Sequence, residues 1–334
     1  MKVKICKNKT EILAIKESWN SLFRKGEYSV FQSFVYCYSS LSITSHPFII
    51  CLFQEDTIKE LWPLEMINNK LRFINDTHAD FCDILSETEN SLVKEYLIVN
   101  NQIGRLTLKN LMKDSKVIKK LKKTAFLNVH ASVSFSILSL LKTESFPSNF
   151  THFVYRQKRR LKRILKKFSS EHLVFDNKSK IFPKKEVLDL RNIMITKGNR
   201  SCSFLDNNFL LLAEQLYNSG SLILSVIKIK GDVSGISLIF KNANRYSFWV
   251  DLFDDKQMVN LYHNTLFIED ITKNSDAIFN FGRGAYDYKI QNYQPEVFEL
   301  FELNTFENMP EKVLFQIFQF IKKRVKKIYN NLRR

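Results

Sequence analysis

The sequence predicts a mixed α/β fold divided into two domains. Three strand-like runs, residues 222–229, 233–240 and 246–250, follow one another with short, turn-rich connections, which is typical of an antiparallel meander. A helical pattern over 257–271 and a further apolar run at 277–281 come next, so the predicted order is meander, helix, strand. The length of 334 residues is sufficient for two domains of ordinary size.

The rest of the chain alternates between the same two kinds of element. Consecutive asparagines at Asn68 and Asn69 separate two apolar runs, which favours a tight hairpin turn. Further strands are predicted at 3–6, 47–53, 61–67, 70–74, 105–108, 125–129, 133–141 and 173–175. Helices are predicted at 10–25, from 31 onwards, and at 92–99, 115–123, 184–195 and 207–217.

The domain boundary is predicted between residues 142 and 149, where Pro147 and two serines interrupt the apolar patterns. We therefore assign residues 1–146 to an N-terminal domain and 147–308 to a C-terminal domain. Residues 309–334 are assigned to a separate basic amphipathic helix.

Composition indicates folded domains and an anionic partner. Hydrophobic residues make up 45% of the chain and aromatic residues 13%, which argues against disorder. Lysine and arginine outnumber aspartate and glutamate by 51 to 34, giving a net charge of +17. Such an excess predicts binding to nucleic acid, acidic lipid or a phosphate-bearing small molecule. Codon bias in an AT-rich bacterial genome is an equal alternative explanation.

Compartment and metal content are predicted from other features. The five cysteines are scattered and form no Cys-x-x-Cys pair, which favours reduced thiols in a cytoplasmic core and no zinc site. No apolar run approaches the length of a membrane span, and the N-terminus shows no signal peptide. We therefore expect a cytoplasmic protein. Peripheral binding to the inner face of the membrane is compatible with that location.

Two segments have the pattern of basic amphipathic helices. Residues 150–168 carry eight lysines and arginines and no acid, and they are compatible with a nucleic-acid helix, a membrane-surface helix, the wall of an anionic-ligand cleft or a solvated face. In residues 309–334 an apolar stripe precedes a basic run. This second helix is expected either to dock on its domain or to contact an anionic membrane surface through 311–334.

A glycine-bracketed arginine follows the predicted strand at 277–281. Gly282 and Gly284 free the backbone to turn, which leaves Arg283 at the end of the strand. Ligands bind at the carboxyl ends of strands in open sheets, and arginine suits a phosphate or carboxylate. Two phenols and an amine come next, at Tyr286, Tyr288 and Lys289. The stretch therefore predicts a site for an anionic small-molecule substrate.

Residues 279–289, which read FNFGRGAYDYK, resemble the DFGRGxxxYK signature of the cellulose-biosynthesis (CelD-like) acetyltransferases. These are double-domain members of the GNAT acyltransferase superfamily and distant relatives of the Fem-type transferases. Asn280 stands where that family usually has an aspartate. Two shorter matches support the resemblance, namely Phe31-Gln32-Ser33 with the segment FQSxxW and Asp80, Cys82 and Asp83 with the segment DYCDFL.

The resemblance implies two tandem GNAT-like domains and an acyltransferase that uses acetyl-CoA or another acyl-CoA. The acceptor would be an amino sugar or nucleotide-sugar building block of a surface polysaccharide. In such a fold the loop after the third meander strand cradles the pyrophosphate of coenzyme A. The corresponding residues 251–260 contain no glycine and three aspartates, which disfavours phosphate. The cofactor-binding candidates are Lys256, Gln257, Met258, Val259 and Asn260.

Acylation of an amine requires a base for the amine and an acid for the leaving group. The catalytic candidates are Asp251, His263, Tyr288 and Lys289. The substrate-binding candidates are Gln32, Asp80, Asp83, Gly282, Arg283, Gly284 and Tyr286. A packed core histidine is the more common role for a residue placed like His263, and helix capping is the more common role for loop aspartates such as Asp80 and Asp83.

Two alternative functions are compatible with the same sequence. A Fem-type transferase would take aminoacyl groups from charged tRNA, which would explain both the basic segment and the glycine-free loop. A non-catalytic protein that binds an anionic ligand, such as nucleic acid or lipid, is the other alternative.

Overall fold

The computed structural model describes residues 1–43, 46–88, 92–100, 102–122, 126–140, 155–156, 159, 170–254, 259–273, 276–284, 286–306 and 308–332. Within these ranges only the backbone is described for 126–140, 259–262, 325–332 and a few single residues, including Tyr288. Most of the predicted basic helix at 150–168 and the predicted domain boundary lie outside the described residues, so both remain predictions.

The first half of the chain, residues 1–140, is built from seven strands and five α-helices in its described part. Its strands are β1 (Lys2–Cys6), β2 (Pro47–Gln54), β3 (Thr57–Ile67), β4 (Lys70–Phe73), β5 (Leu85–Ser86), β6 (Thr107–Met112) and β7 (Phe126–Leu140). Its helices are α1 (Lys9–Ala14), α2 (Lys16–Arg24), α3 (Phe34–Ser40), α4 (Leu92–Val99) and α5 (Lys116–Leu121).

The second half, residues 170–306, repeats this order, and a long helix follows it. Its strands are β8 (Ser170–Phe175), β9 (Leu222–Ile229), β10 (Asp232–Asn242), β11 (Arg245–Phe253), β12 (Ala277–Arg283) and β13 (Glu296–Asn304). Its helices are α6 (Lys184–Thr196), α7 (Asn207–Asn218), α8 (Val259–Thr272) and α9 (Asp287–Tyr293), and α10 (Met309–Leu332) ends the described chain.

The strands form two sheets whose order reflects an internal duplication. One sheet has the order β1-β2-β3-β4, with β5 pairing with β3, and the other has the order β6-β13-β7-β12-β11-β10-β9-β8. A single parallel bridge between Leu71 and Leu106 joins the end of the first sheet to the start of β6. Each strand of the first half except β5 corresponds to a strand of the second half, from β1 with β8 to β7 with β13. When every strand is replaced by its counterpart, the combined strand order read backwards is the same order. The predicted mixed α/β fold is confirmed.

The two halves exchange their last strands. β7 belongs to the first half but lies between β13 and β12, antiparallel to both. β13 belongs to the second half but lies between β6 and β7. Each half therefore completes its sheet with a strand from the other half, and one sheet runs across their junction, with a register shift in each of the β6–β13, β13–β7 and β7–β12 pairs.

Several predicted elements are confirmed, and others are corrected. The meander is present as β9, β10 and β11, and the hairpin turns at Asn68 (φ 49°) and Asn69 (φ 60°), a conformation that asparagine tolerates. The predicted helix at 10–25 is instead two helices that meet at Ile15. The two strands predicted at 125–129 and 133–141 are one strand, β7. The sequence patterns did not predict α9 or β13.

Two apolar clusters hold the sheets and helices together. The larger one includes side chains from both halves, among them Trp19, Trp62 and Phe240. The smaller one lies between α8 and the larger sheet and contains the closely packed rings of Phe248, Phe267 and Phe279. Fully burying one such side chain contributes roughly 1.5–3 kcal/mol.

The five cysteines are free thiols. Cys6, Cys37, Cys51 and Cys82 are buried, in agreement with the expected core location. Cys202 is exposed, so the expectation of a core thiol is wrong at this position.

Candidate functional site at the junction of the halves

The parallel strands β11 and β12 separate towards their carboxyl ends. They pair over three residues, from Arg245 with Ile278 to Ser247 with Asn280. Both strands are described in full, and beyond these pairs they continue to Phe253 and Arg283 without pairing to each other. A split therefore opens between two neighbouring strands of the sheet, at the end where ligands usually bind.

Gly282 lets another part of the chain approach the end of β12 closely. Its φ is +69°, and a Cβ atom there would lie 3.0 Å from Asp80 Oδ2 and 3.2 Å from the carbonyl oxygen of Phe248. A side chain at this position would be strained in its backbone and crowded by its neighbours. Gly284 also has a positive φ, of +93°. The predicted glycine turn is present, and its first glycine is required by contact with the first half.

Arg283 is held by the loop of the first half that contains Thr77 and Asp80. Its Nε lies 3.6 Å from Asp80 Oδ1, its backbone N–H donates to the same oxygen at 3.3 Å, and its guanidinium donates to the Thr77 carbonyl oxygen at 2.8 Å. The guanidinium therefore already has partners from the other half of the protein. About a third of its side chain is exposed (34%), which leaves part of it accessible to a ligand.

Asp80 is buried beside this arginine. Burial raises the pKa of its carboxyl to about 6, although the charges of Arg283 and Lys289 act in the opposite direction. Its Oδ2 is buried and has no hydrogen-bond partner among the described residues. A carboxyl with a raised pKa and an unused oxygen can accept a proton or a hydrogen bond near neutral pH.

Lys289 binds the main chain at the carboxyl end of β12 from the buried side. Its side chain is buried, and Nζ donates to the carbonyl oxygens of Phe281 at 2.5 Å and Arg283 at 3.3 Å. Burial lowers the pKa of Lys289, and the charges of Asp251 and Asp80 act to raise it. The ammonium thus satisfies two backbone acceptors where the strand leaves the sheet, with carboxylates of both halves nearby.

Asn280, which stands where the resembling signature has an aspartate, belongs to the last residue pair before the two strands separate. Its side-chain oxygen accepts from the Gly282 N–H at 2.7 Å, and its amide donates to the Ser247 hydroxyl at 3.3 Å. The first bond stabilises the glycine turn, and the second connects the two strands at the last residue pair before they separate. A carboxylate could make the first of these bonds equally well.

A second link between the halves lies on β11. Trp249 is an extra residue on this strand, because Leu238 pairs with Val250 while Ile239 pairs with Phe248. Its indole N–H donates to the His78 carbonyl oxygen at 2.7 Å. The segment of the first half from His78 to Asp80 is therefore bound to both strands of the split.

Asp251 lies on β11 within a polar network that faces α8. Its carboxylate accepts from the Ser237 hydroxyl at 2.6 Å and from the Asn264 amide at 3.3 Å, and it is half-buried. Sequence patterns gave no indication of Ser237 or Asn264. The sequence shows only that polar residues alternate with apolar ones on β10 and β11. This alternation does not reveal that Asp251 binds Ser237 and Asn264, which are 14 and 13 residues away in the chain.

His263 is buried between α8 and the sheet. Its Nε2 lies 2.6 Å from the Ser225 hydroxyl, which also lies 2.9 Å from His172 Nε2. Burial and the neighbouring His172 lower the pKa of His263 to about 3, so the ring is neutral at physiological pH. This environment fits the packed-core alternative, and the catalytic role of His263 remains an untested prediction.

Two further candidates make structural hydrogen bonds away from the split. The Asp83 carboxylate accepts from the backbone N–H groups of Lys116 and Val117 at 2.7 and 3.0 Å, which caps the start of α5. The Gln32 side chain accepts from the Ser29 N–H at 2.8 Å in a capping box. Both roles agree with ordinary capping, and no ligand role follows from these contacts.

The remaining candidates are the two tyrosines after the glycine turn and the predicted coenzyme-binding residues 256–260. Tyr286 is exposed (58%) and precedes α9, and its ring lies 5.2 Å from Lys289 Nζ. Tyr288 is on α9, and its side chain lies outside the description. Lys256, Gln257 and Met258 lie outside the described residues. Val259 and Asn260 begin α8, with only their backbone described.

Among the residues that the structure describes, no group of three or more His, Cys, Asp or Glu side chains is arranged to hold a metal ion. No helix among the same residues combines the length and the apolar character needed to cross a membrane.

No protein-family model matches the sequence, and no curated protein sequence matches it. The fold is nevertheless shared with solved structures. FemX is similar with a TM-score of 0.62 and 9% identity, over 95% of this chain and 99% of that chain. L-PGS from Bacillus licheniformis is similar with a TM-score of 0.58 and 11% identity, over 90% of this chain and 95% of that chain.

A tandem GNAT protein from the clavulanic acid biosynthesis pathway has a TM-score of 0.50 and 8% identity, over 90% of this chain and 98% of that chain. At such identities the similarity establishes architecture alone. The chain therefore has a fold made of two GNAT-like halves, in agreement with the duplicated strand order described above.

Proposed function

We propose that this protein is an acyltransferase that acylates an amine at the split between β11 and β12. One observation carries the proposal. Two parallel strands separate after three residue pairs, their free ends carry Asp251 and Arg283, and Lys289 of α9 and Asp80 of the other half lie beside them. Carboxylates, a guanidinium and an ammonium around such an opening are the groups that bind a charged acceptor and transfer its proton.

In the proposed reaction Asp251 is the base, Tyr288 is the acid and Arg283 binds the anionic part of the substrate. An ammonium substrate gives a proton to Asp251, which the Ser237 and Asn264 hydrogen bonds hold in place. The free amine then attacks the acyl carbonyl carbon, so that a C–N bond forms and the bond to the leaving group breaks. The leaving group takes up a proton, for which Tyr288 is the candidate donor, and the second proton that the nitrogen loses as the amide forms returns to Tyr288. Arg283 binds an anionic part of the substrate through its exposed fraction.

The finer assignment is acetyl transfer from acyl-CoA to an amino sugar or nucleotide sugar used in surface polysaccharide, as in the CelD-like group. It is supported by the resemblance of residues 279–289 and by the glycine turn that the resemblance requires at Gly282. In this assignment residues 256–260, which precede and begin α8, bind the coenzyme.

The test is a transfer assay with labelled acetyl-CoA and a panel of free and nucleotide-linked amino sugars, read by mass spectrometry of the product. Asp251→Asn should lower kcat by roughly 100-fold or more if this carboxylate is the base. Asp232→Asn, an exposed aspartate elsewhere on the sheet, is the matched control and should leave the rate unchanged. Absence of product with every acceptor, together with no heat of binding for acetyl-CoA, would reject the acyl-CoA assignment.

A second candidate is aminoacyl transfer from charged tRNA. Residues 251–260 favour it, since Asp251 and Asp255 would repel a pyrophosphate, Asp254 already pairs with Lys197 at 2.7 Å, and no glycine permits close approach. The same acceptor panel incubated with aminoacyl-tRNA distinguishes the two donors. Binding of tRNA at low salt that weakens steeply with added salt is also expected for this candidate, and lack of retention at low salt would remove it.

A further inference from the structure

The helix α10 exposes a continuous apolar stripe. From Met309 to Ile321 it carries seven large apolar side chains that are at least 45% exposed. They are Met309, Val313, Leu314, Ile317, Phe318, Phe320 and Ile321. Most of them recur at spacings of three and four residues, so they share one side of the helix. An exposed stripe of this composition is unusual for a soluble helix, because large apolar side chains lose free energy in contact with water.

The body of the protein covers only part of the start of this helix. Lys70 pairs with Glu311 at 2.6 Å, and the rings of Phe306 and Phe315 lie 5.2 Å apart. Phe315 is on the opposite side of the helix from Ile317 and Ile321, as the 100° step per residue requires. The contact with the body therefore fixes the first turns, and although Leu314 and Phe318 line a cavity against the body, both remain more than 60% exposed, as does most of the surface of the stripe.

The charge of the helix indicates what covers the stripe. Residues 309–334 contain eight basic residues and a single acid, Glu311. Five of the basic residues are clustered directly after the exposed stripe, at Lys322, Lys323, Arg324, Lys326 and Lys327. Lys322 and Arg324 are exposed. An apolar face continued by a dense basic cluster matches an interface that is apolar in its interior and negatively charged at its surface.

We propose that α10 binds the surface of an anionic lipid bilayer, with its apolar stripe in the acyl boundary and its basic cluster among the headgroups. Burial of the apolar side chains supplies an attraction that is independent of salt, and the basic cluster supplies one that salt weakens. The helix lies in the plane of the interface. This inference concerns a surface remote from the split between β11 and β12, and it does not depend on the proposed reaction.

A second copy of this chain fits the same face less well. Two α10 helices packed side by side would bring two clusters of five basic residues together. Like charges at close range oppose association, and the helix carries only one acid to offset them. The anionic bilayer is the occupant for which both the apolar and the charged parts of the helix are complementary.

The experiment is flotation of the full chain with vesicles of phosphatidylcholine alone and of phosphatidylcholine mixed with phosphatidylglycerol, at low and high salt. We expect the protein to float with the mixed vesicles and to stay at the bottom with the neutral ones. The paired substitution Ile317→Ser and Ile321→Ser should lower the bound fraction at both salt concentrations. Its matched control is Ile181→Ser, at an isoleucine that is 87% exposed elsewhere on the surface, and this variant should bind like the wild type.

Charge is tested separately. Lys322→Glu with Arg324→Glu should weaken binding to the mixed vesicles at least about tenfold at low salt, since each basic residue near an anionic surface contributes roughly a fivefold factor. Lys178→Glu with Lys185→Glu changes the net charge of the protein equally at exposed positions outside α10, and it should have a much smaller effect. Thermal unfolding of each variant confirms that the fold is kept.

Four results would overturn the proposal. Equal binding to neutral and mixed vesicles would remove the charge argument, and full binding by the Ile317/Ile321 variant would remove the apolar one. Absence of vesicle binding combined with a concentration-dependent dimer, lost in that same variant, would assign the stripe to a second copy of the chain. Retention of tRNA by the wild type that only the charge variant loses, without vesicle binding, would assign the basic cluster to nucleic acid.

Discussion

The duplicated fold contains two equivalent pairs of divergent parallel strands, and they differ in what lies beside them. In the second half, β11 and β12 are contacted by the loop from His78 to Asp80 of the first half. In the first half, β4 and β6 are joined only by the bridge between Leu71 and Leu106. A cavity of about 500 Å³ lies there, lined by polar side chains of both strands, including Arg72 and Thr107, and by α10.

The difference shows that equivalent topology does not give equivalent sites. The turn formed by Gly282 and Gly284 is at the split where another segment packs tightly against the backbone. The other split has no such glycine turn and retains free volume. We therefore expect substitutions at the β11/β12 split to be costly and substitutions at the β4/β6 split to be tolerated, and four measurements test this contrast.

Gly282→Ala should have the largest effect. The positive φ costs about 1–2 kcal/mol for alanine, and the contacts of the new Cβ with Asp80 and Phe248 should raise the total to about 2–4 kcal/mol of unfolding free energy. Gly198→Ala is the matched control, because Gly198 has a φ of +72° and nothing within 4 Å of its Cβ position. Urea denaturation measures both. Equal losses in the two variants would show that Asp80 and Phe248 do not crowd the position.

Lys289→Met should destabilise the protein by about 2 kcal/mol. The substitution keeps the apolar stem but leaves the buried carbonyl oxygens of Phe281 and Arg283 without their donor. Lys178→Met, at an exposed lysine, is the control and should change the unfolding free energy by less than about 0.5 kcal/mol. A comparably small change for Lys289→Met would contradict a structural role of the buried ammonium.

Asp80→Asn should change the pH dependence of stability. The pKa of Asp80 is raised to about 6 in the folded protein, above the value of about 3.9 in an unfolded chain. The folded state therefore binds the proton more tightly, and the stability that this provides is complete below about pH 4 and is lost as the pH rises through about 6. The asparagine variant lacks this loss.

Relative to the wild type, the Asp80→Asn variant should therefore gain about 1–3 kcal/mol between about pH 4 and about pH 7. Urea denaturation at both pH values gives this difference. If the difference in unfolding free energy between the wild type and the variant is the same at about pH 4 and about pH 7, the Asp80 carboxyl does not titrate between these pH values.

Thr107→Leu should have the smallest effect, below about 0.5 kcal/mol, because the added volume enters the cavity beside β4 and β6. The matched substitution at the other split is Ser247→Leu. It removes the acceptor of the Asn280 amide and adds volume between two strands, and it should cost about 1–3 kcal/mol. Equal costs at the two positions would remove the contrast between the splits.

Local patterns predicted the elements that carry their own signals. Asn68 and Asn69 indicated a hairpin because few residues tolerate a positive φ, and the meander was visible from its short connections. β13 was missed because glutamates at Glu296, Glu299 and Glu302 interrupt its apolar pattern. Its neighbours in the sheet, β6 and β7, are remote in sequence, so pairing rather than local propensity determines its conformation.

The site was predictable in composition but not in its contacts. The glycine turn and the cluster of Arg283 and Lys289 were evident from one short stretch. The partner of Arg283 is Asp80, 203 residues earlier in the chain, and no periodic pattern connects positions so far apart. The burial of Lys289 likewise depends on α9, which the patterns did not predict.

The exchange of β7 and β13 has a consequence for how a substrate could enter. In many enzymes that consist of two domains, the domains close around the ligand by rotating about a hinge. In this protein a hinge rotation of one half against the other would separate β7 from β12 or β13, and many main-chain hydrogen bonds would have to break at the same time. We therefore expect any ligand of the split to enter and leave through movements of the short connections around the strand ends, while the two halves stay joined to each other.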